Sequence, residues 1–156
     1  MKIKAIIEED FVNYKKPSLF IAFPSCSFKC EKDSGVACCQ NSDLAKSDDI
    51  EVTPFDLVKR YLSNPITQSI VCAGLEPFDT WDDLYYLVKV FRTQTSDDIV
   101  IYTGYEEHEI EDKVNYLKRY ANIIIKFGRF KPNDKHRFDD VLGVELASEN
   151  QYAKRI

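Results

Sequence analysis

Short apolar runs alternate with amphipathic segments along most of this chain, and that alternation restricts the fold to the α/β class. Runs of this kind are typical of strands that are buried on both faces of a parallel sheet, with helices between them. The sequence predicts four such strands: Ser18–Phe23, Ser69–Cys72, Asp98–Tyr102 and Asn122–Phe127.

The segments between these strands carry helix signals. Thr53, Pro54 and Asp56 supply an N-cap, a first-turn proline and an acidic third residue, so we expect a helix from there to about Ser63. Two further helices are expected from apolar side chains at helical spacing. The first set follows the cap at Thr80 and consists of Trp81, Leu84, Tyr85, Val88 and Phe91, and the second consists of Ile110, Val114 and Leu117.

Two other segments extend the predicted sheet. Lys2–Ile7 alternates polar and apolar residues like an edge strand, and Val141–Leu146 is a candidate for a fifth buried strand. At about 30 residues per βαβ unit the 156 residues provide four or five units, too few for a closed barrel of about 250 residues. We therefore expect one domain over residues 1–156, an α/β fold that forms a partial, open (β/α) barrel with a mostly parallel sheet of about five strands.

Composition argues against several classes of function. The five glycines are too far apart to form a Gly-rich phosphate-binding motif, and two histidines do not suggest a His-rich metal site. The net charge is −5 and no basic stripe is present, so nucleic acid is not an expected partner. No apolar run is long enough to span a membrane, and the Lys-Ile-Lys start lacks the apolar core of a signal peptide. We expect a cytoplasmic protein without a membrane partner.

Cysteine is the residue type that carries the chemistry. The chain has five cysteines and no export signal, and in a reducing cytosol such cysteines are more often metal ligands or catalytic groups than disulfides. Cys26 and Cys30 are followed by the adjacent pair Cys38 and Cys39, and thiolates favour zinc or an iron–sulfur cluster. Neighbouring residues seldom both face one tetrahedral zinc, so three ligands and a spare are plausible: Cys26, Cys30 and one of the pair. Cys72, inside an apolar strand, is expected to be a buried hydrophobic residue.

The cysteine loop resembles that of the radical S-adenosylmethionine enzymes, and especially that of the activating proteins of class III (anaerobic) ribonucleotide reductases. Their loop reads C-x3-C-x2-C, often with an asparagine two residues after the last cysteine. Cys39-Gln40-Asn41 reproduces that ending, so the resemblance favours Cys39 over Cys38 as the third ligand. Here the residues Glu31–Cys38 stand where the family usually has two, and we expect this hydrophilic insert to bulge outward as a surface loop.

Further segments match the same family in the expected order. Ala73–Pro77 resembles its Gly-Gly-Glu-Pro stretch, with Leu75 in place of the second glycine; taken alone, this segment would indicate only a strand-to-helix turn. Ile101–Tyr105 resembles its Trp/Tyr-Thr-Gly-Tyr segment. Phe127–Phe130 and Leu146–Gln151 resemble its Asp-Gly-x-Phe and Ser-x-Asn-Gln segments, with a phenylalanine in place of the aspartate. The resemblance covers about residues 17–151.

The resemblance implies a 4Fe-4S cluster held by Cys26, Cys30 and Cys39, with S-adenosylmethionine bound to the open iron. It also implies residues that contact S-adenosylmethionine: Cys38 and Gln40 near the adenosyl group, Gly74 and Glu76 at the methionine end, and Thr103. In the family one electron from the reduced cluster gives methionine and a 5′-deoxyadenosyl radical, which removes a hydrogen from a glycine of the reductase. The expected partners are that glycyl-radical large subunit and an electron donor such as flavodoxin or ferredoxin.

Two other functions stay open. The long insert and Leu75 leave room for a radical S-adenosylmethionine enzyme that acts on another protein or on a small molecule. A non-catalytic zinc-binding domain is the second alternative. The identity of the metal separates this domain from the two enzymes, and the identity of the partner separates the enzymes from each other.

Overall fold

A computed structural model describes all of residues 1–156. The strands are β1 (Lys2–Ile3), β2 (Ala5–Asp10), β3 (Ser18–Phe23), β4 (Ile50–Glu51), β5 (Ser69–Gly74), β6 (Asp98–Tyr102), β7 (Ile123–Phe127), β8 (Arg137–Asp139), β9 (Val144–Leu146) and β10 (Tyr152–Arg155). The helices are α1 (Lys29–Ser34), α2 (Ser42–Lys46), α3 (Pro54–Ser63), α4 (Trp81–Arg92) and α5 (Glu111–Leu117), with 3₁₀ turns over Pro77–Thr80 and Glu107–Glu109. The longest helix has 12 residues, and none has the length and apolar character that crossing a membrane requires.

Six strands form one mixed sheet in the order β10-β7-β6-β5-β3-β2. The central strands β3, β5, β6 and β7 are parallel and adjacent in chain order, while β2 and β10 pair antiparallel at the two edges. All four predicted buried strands form, two of them, Ser18–Phe23 and Asp98–Tyr102, over the predicted ranges. The predicted edge strand is divided: β1 pairs with β4 in a small separate sheet, and β2 occupies the edge of the main one.

The two faces of the sheet are covered differently. On one face, alternate strand residues such as Ile21, Cys72 and Ile101 pack with the apolar sides of α3, α4 and α5 in a core of 23 buried residues. On the other face, a smaller cluster includes Val100 and Leu142, contributed by the sheet and by a connecting loop. Parallel strands in chain order with helices on one face have the winding of a (β/α) barrel. The partial barrel stays a prediction, which this winding favours.

Val141–Leu146 does not add a fifth strand to the main sheet. The Asp139 Oδ1 accepts hydrogen bonds from the N–H groups of Val141 (3.1 Å) and Leu142 (2.9 Å), and Gly143 follows at φ +72°. A carboxylate that binds the amides two and three residues on forms a turn, so the backbone there cannot be extended. Only β9 remains as a strand, and it pairs with β8 in a separate hairpin.

The helix starts follow the predicted caps in part. The Thr53 Oγ1 accepts from the Asp56 N–H at 3.1 Å, and the Asp56 Oδ2 accepts from the Thr53 N–H at 3.3 Å, so the predicted capping box is present. At α4 the Thr80 side chain does not cap the helix. The 3₁₀ turn over Pro77–Thr80 leads into α4 instead, and the Glu76 side chain caps that turn.

Gly74, at the end of β5, tests how tightly the strand ends pack. A Cβ at this position would lie 2.7 Å from the Cα of Ala22 on β3, and φ is +86°. We expect Gly74→Ala to lower the free energy of unfolding by about 3 kcal/mol, from backbone strain and overpacking. Gly35→Ala is the matched control because its φ is +71° with no atom within 4 Å; strain alone costs about 1 kcal/mol there. Equal losses in urea denaturation would contradict this account.

Candidate functional site

A cavity of about 480 Å³ opens at the ends of the parallel strands where β5 and β6 finish. Its wall contains nearly all of the site residues that the sequence predicts, namely Cys26, Cys30, Cys39, Gln40, Gly74, Glu76 and Thr103. These residues come from separate segments of the chain, and they meet because parallel strands end at the same edge of a sheet.

The two adjacent cysteines are placed differently. Cys39 lines the cavity and Cys38 does not. The Cys38 Sγ lies 3.3 Å from the Ser34 Oγ, whereas the Cys39 N–H donates to the Glu31 Oε1 at 3.0 Å. This geometry favours Cys39 as the companion of the other two cysteines, and it places the Cys38 side chain away from the expected adenosyl contact. The identity of the third ligand stays a prediction.

The insert in the cysteine loop, residues 24–41, lies at the surface as expected, with Lys32–Ala37 exposed. Its first half belongs to the helix α1, which ends where Gly35 takes φ +71° and donates its N–H to the Glu31 carbonyl at 2.9 Å. No residue from Pro24 to Thr53 is buried. The hydrophobic effect therefore contributes little to the conformation of this loop, and polar contacts must hold it in place.

Two sets of hydrogen bonds attach the loop to the end of β5 and the segment after it. The Ser27 N–H donates to the Asp79 Oδ2 at 2.6 Å, and the Tyr105 hydroxyl donates to the Asp79 Oδ1 at 2.5 Å. At the other end of the loop, the Asn41 Nδ2 donates to the Gly74 carbonyl at 2.8 Å. The asparagine of the Cys-Gln-Asn ending thus has a visible structural role.

A salt-bridge network of Lys29, Asp33, Glu109 and Arg129 holds α1. The Arg129 Nε lies 2.6 Å from the Asp33 Oδ2, and the Arg129 Nη2 donates to the Glu109 Oε1 at 2.7 Å. Lys29 donates to the same Glu109 oxygen at 3.0 Å and lies 4.3 Å from the centre of the Tyr105 ring. The hydrogen bond from Arg129 lowers the pKa of Glu109 to about 2. Lys29 is therefore ion-paired with Glu109.

Glu76 joins the ends of two strands. Its Oε1 accepts from the Phe78 N–H (3.1 Å) and the Thr103 hydroxyl (2.8 Å), and its Oε2 accepts from the Gly104 N–H (2.8 Å). Burial raises the pKa of Glu76 to about 7. A carboxylate has about four acceptor positions, so Oε2 keeps a free one, and Glu76 lines the cavity. Thr103 acts here by holding Glu76.

The motif near the C-terminus binds the segment after β7. The Gln151 side chain donates to the Gly128 carbonyl at 3.2 Å and accepts from the Ser148 N–H at 3.1 Å. The Asn150 Nδ2 donates to the Arg129 carbonyl at 3.1 Å. The two segments that resemble family motifs are thus hydrogen-bonded to each other, close to the cavity.

The cysteines and their surroundings fit a metal cluster. Burial raises the pKa of Cys26 to about 11 and raises that of Cys30 as well, so both thiols keep their protons at neutral pH until a metal replaces them. A Cβ on Gly104 would lie 3.5 Å from the Cys30 Sγ and 3.6 Å from the Glu76 Oε2, so the missing side chain leaves space between them. No three Cys, His, Asp or Glu side chains converge as ligands of a single ion do. The cysteines around a cluster bind separate irons.

Lys126 on β7 is a cavity residue that the sequence analysis missed. Only 6% of it is exposed, and its side chain lies on the sheet face opposite α3, α4 and α5. The available signal was a lysine within an otherwise apolar strand. Lysine is almost never fully buried without a partner, so that position indicated a site.

Arg129 provides a test of the polar attachment of the loop. We expect Arg129→Ala to speed amide hydrogen exchange in residues 29–41 about five-fold, because α1 loses its ion pair with Arg129 and a partly exposed ion pair contributes about 1 kcal/mol. The central strands should keep their exchange rates. The control is Arg60→Ala, which removes an exposed 2.7 Å pair with Glu8 away from the loop. Unchanged exchange in the loop of Arg129→Ala would show that the salt-bridge network does not hold the loop.

Comparison with known proteins identifies a family. A family model described as a 4Fe-4S single cluster domain matches residues 16–152, which include the cysteine loop and all four parallel strands. A search among curated proteins gives no match. Because the family match extends over most of the chain, this protein belongs to the family of 4Fe-4S single cluster domains.

Proposed function

We propose that this protein is a radical S-adenosylmethionine activase that generates the glycyl radical of an anaerobic ribonucleoside-triphosphate reductase. The observation that carries the proposal is the meeting of three cysteines and the Gly74–Pro77 turn at one cavity. Domains of the matched family occur in radical S-adenosylmethionine proteins, which supports the enzyme class. The reductase as partner rests on the resemblance of the motifs.

In this proposal Cys26, Cys30 and Cys39 hold the cluster, and the iron without a cysteine is left for the cosubstrate. When bound, the cluster supplies the electron that cleaves S-adenosylmethionine into methionine and a 5′-deoxyadenosyl radical. The salt-bridge network of α1 and the hydrogen bond of Asn41 keep the three thiols at the cavity wall.

Cavity residues provide the contacts for S-adenosylmethionine. The free acceptor position on the Glu76 Oε2 suits the ammonium of the methionine end, since charge-assisted hydrogen bonds are the strong ones. Gly74 lines the cavity with its backbone, while the space left by its missing side chain is taken by Ala22 of β3. Gln40 remains the candidate for the adenosyl contact, and Cys38 acts there only through its backbone. Leu75 lines the same cavity, so the leucine narrows the space that the family's second glycine leaves.

The proposed partner is the glycyl-radical large subunit, and the proposed electron donor is a flavodoxin or ferredoxin of the cytoplasm. Val12 lies at the cavity wall and is 73% exposed, so the cavity reaches the surface. An opening of this kind admits a loop of a protein substrate. The same opening also admits a small molecule, which is why the partner needs its own experiment.

The first test is anaerobic reconstitution with iron and sulfide. We expect about four irons and four sulfides per chain, visible absorbance that bleaches with dithionite, and 5′-deoxyadenosine from S-adenosylmethionine. Addition of the reductase subunit should then give a glycyl-radical signal in electron paramagnetic resonance. One tightly bound zinc without deoxyadenosine would contradict the enzyme class. Deoxyadenosine without a glycyl radical would contradict the partner and leave a different substrate.

The two adjacent cysteines give a matched pair of variants. Because only Cys39 lines the cavity, Cys39→Ala should lose the cluster and all cleavage of S-adenosylmethionine. Cys38→Ala should keep both, with the iron content of the unmodified protein. The reverse result would make Cys38 the third ligand.

Gly104→Ala tests whether the space beside Cys30 is used. The added methyl makes ordinary contacts of 3.5 and 3.6 Å, so the fold should tolerate it. In the cavity, however, it occupies space between Cys30 and Glu76. We expect a thermal midpoint close to that of the unmodified protein and at least several-fold slower formation of deoxyadenosine. Unchanged kinetics with an intact cluster would show that S-adenosylmethionine binds elsewhere.

A further inference from the structure

Lys126 is a buried charge in a place where a strand usually carries apolar side chains. It follows Ile123, Ile124 and Ile125 on β7 and precedes Phe127, and it is 6% exposed. Side chains alternate along a strand, so Lys126 lies on the same face as Ile124, away from α3, α4 and α5. There it shares the cavity with Cys30 and Glu76.

The ammonium of Lys126 has hydrogen bonds but no ion pair. Its Nζ donates to the Gly128 carbonyl at 2.9 Å and to the Thr103 carbonyl at 3.5 Å. No carboxylate oxygen lies within 4.0 Å of it. An ammonium has three donors, and besides the two carbonyls its surroundings offer only the Tyr102 ring, whose centre lies 5.9 Å from the Nζ. A buried charge without a counter-ion is strongly unfavourable, and the protein would be more stable with an apolar side chain there.

The surroundings show which charge would balance it. Burial lowers the pKa of Lys126 to about 8, and the nearby Glu76, Cys30 and Glu106 act in the opposite direction. At neutral pH the side chain is therefore mostly protonated. Glu76 already accepts three hydrogen bonds from other donors and has a pKa raised to about 7, so it is an incomplete partner. In the proposed function two anions enter this cavity, the carboxylate of S-adenosylmethionine and the cluster with its cysteine thiolates, and the geometry favours the cluster because Cys30 is close enough to Lys126 to act on its pKa.

We propose that Lys126 is the counter-ion of the iron–sulfur cluster and raises its reduction potential. Three thiolates outweigh the positive charge of the cluster core, so the assembly is anionic. Reduction adds one electron from an external reductant, transfers no atom, and makes the assembly more negative. A fixed positive charge beside it stabilises the reduced state more than the oxidised state. This inference rests on the cluster at the three cysteines and does not depend on the cosubstrate or the partner.

Lys126→Met removes the charge and keeps most of the side-chain volume. With the cluster reconstituted, we expect a lower midpoint potential in a dithionite titration followed by electron paramagnetic resonance. The shift should exceed that of Lys126→Arg, which keeps the charge. Loss of iron to a chelator should also be several-fold faster in Lys126→Met. The control is Lys113→Met, since Lys113 donates to the Phe78 carbonyl at 2.8 Å and lies over Trp81, outside the cavity.

Thermal unfolding separates a counter-ion from a structural lysine. Without metal, Lys126→Met should unfold at the same or a higher temperature than the unmodified protein, because the unpaired buried charge is gone. With the cluster bound, it should gain less stability than the unmodified protein. A lower midpoint for the metal-free variant would mean that the two carbonyl contacts are the purpose of the lysine, and would overturn the proposal.

Two other results would also overturn it. One is an unchanged midpoint potential in a Lys126→Met protein that holds its full iron content. The other is an unchanged potential with weaker binding of S-adenosylmethionine alone, which would make Lys126 a contact for the carboxylate of the cosubstrate. Failure of the unmodified protein to bind a cluster would instead contradict the cluster assignment itself, so the two failures are distinguishable.

Discussion

The Glu76 carboxylate lies where two parallel strands end, and it determines how the chain leaves the sheet there. It binds the N–H of Phe78 at the start of the turn after β5, and the Thr103 hydroxyl and the Gly104 N–H after β6. A buried carboxylate with three donors is costly to disturb, because each donor would lose its partner away from water. The two turns are thereby fixed relative to each other. The contacts that hold the cysteine loop begin from these turns and from the end of β7.

The winding of the sheet explains why the site forms on one face. The crossovers place α3, α4 and α5 on the same side, where they bury the large core. The other side keeps only a small apolar cluster and remains open at the strand ends. Polar residues such as Lys126 can point into that opening without disturbing the main core, because successive strand residues face opposite sides. The site and the stable core thus use alternate positions of the same strands.

The sequence predicted the parts of the structure that local patterns determine. The apolar runs identified the four central strands, and the capping box identified the start of α3. Spacing could not decide between Cys38 and Cys39, because the direction of each side chain depends on α1 and on the hydrogen bond from Cys39 to Glu31. The interpretation of Val141–Leu146 as a strand failed because hydrophobicity did not reveal the turn that Asp139 forms.

Local sequence patterns could not predict contacts between residues that are distant in the chain. The pair between Glu109 and Arg129 joins segments that follow different strands, and each residue alone resembles an ordinary surface charge. Thr103 shows the same limit: the sequence suggested a ligand contact, which stays a prediction, and only the structure shows that its hydroxyl binds Glu76. Only the register of the parallel strands brings these residues together. The sequence showed which residues had unusual chemistry, and the fold showed which of them meet.

In the proposed cluster-bound protein, the cysteine loop and the cluster would stabilise each other by thermodynamic linkage. The loop contains no buried residue, so its ordered form is maintained by a few polar contacts and has a small free-energy advantage of its own. A group that binds the three thiols only when the loop is ordered adds its binding free energy to that advantage. The helix α1 and its salt-bridge network already restrict the conformations of the long insert. Binding of the iron–sulfur cluster would therefore have to remove less conformational freedom, so the length of the insert costs little. The same linkage means that cluster binding would strengthen the ordered loop, and with it the cavity wall.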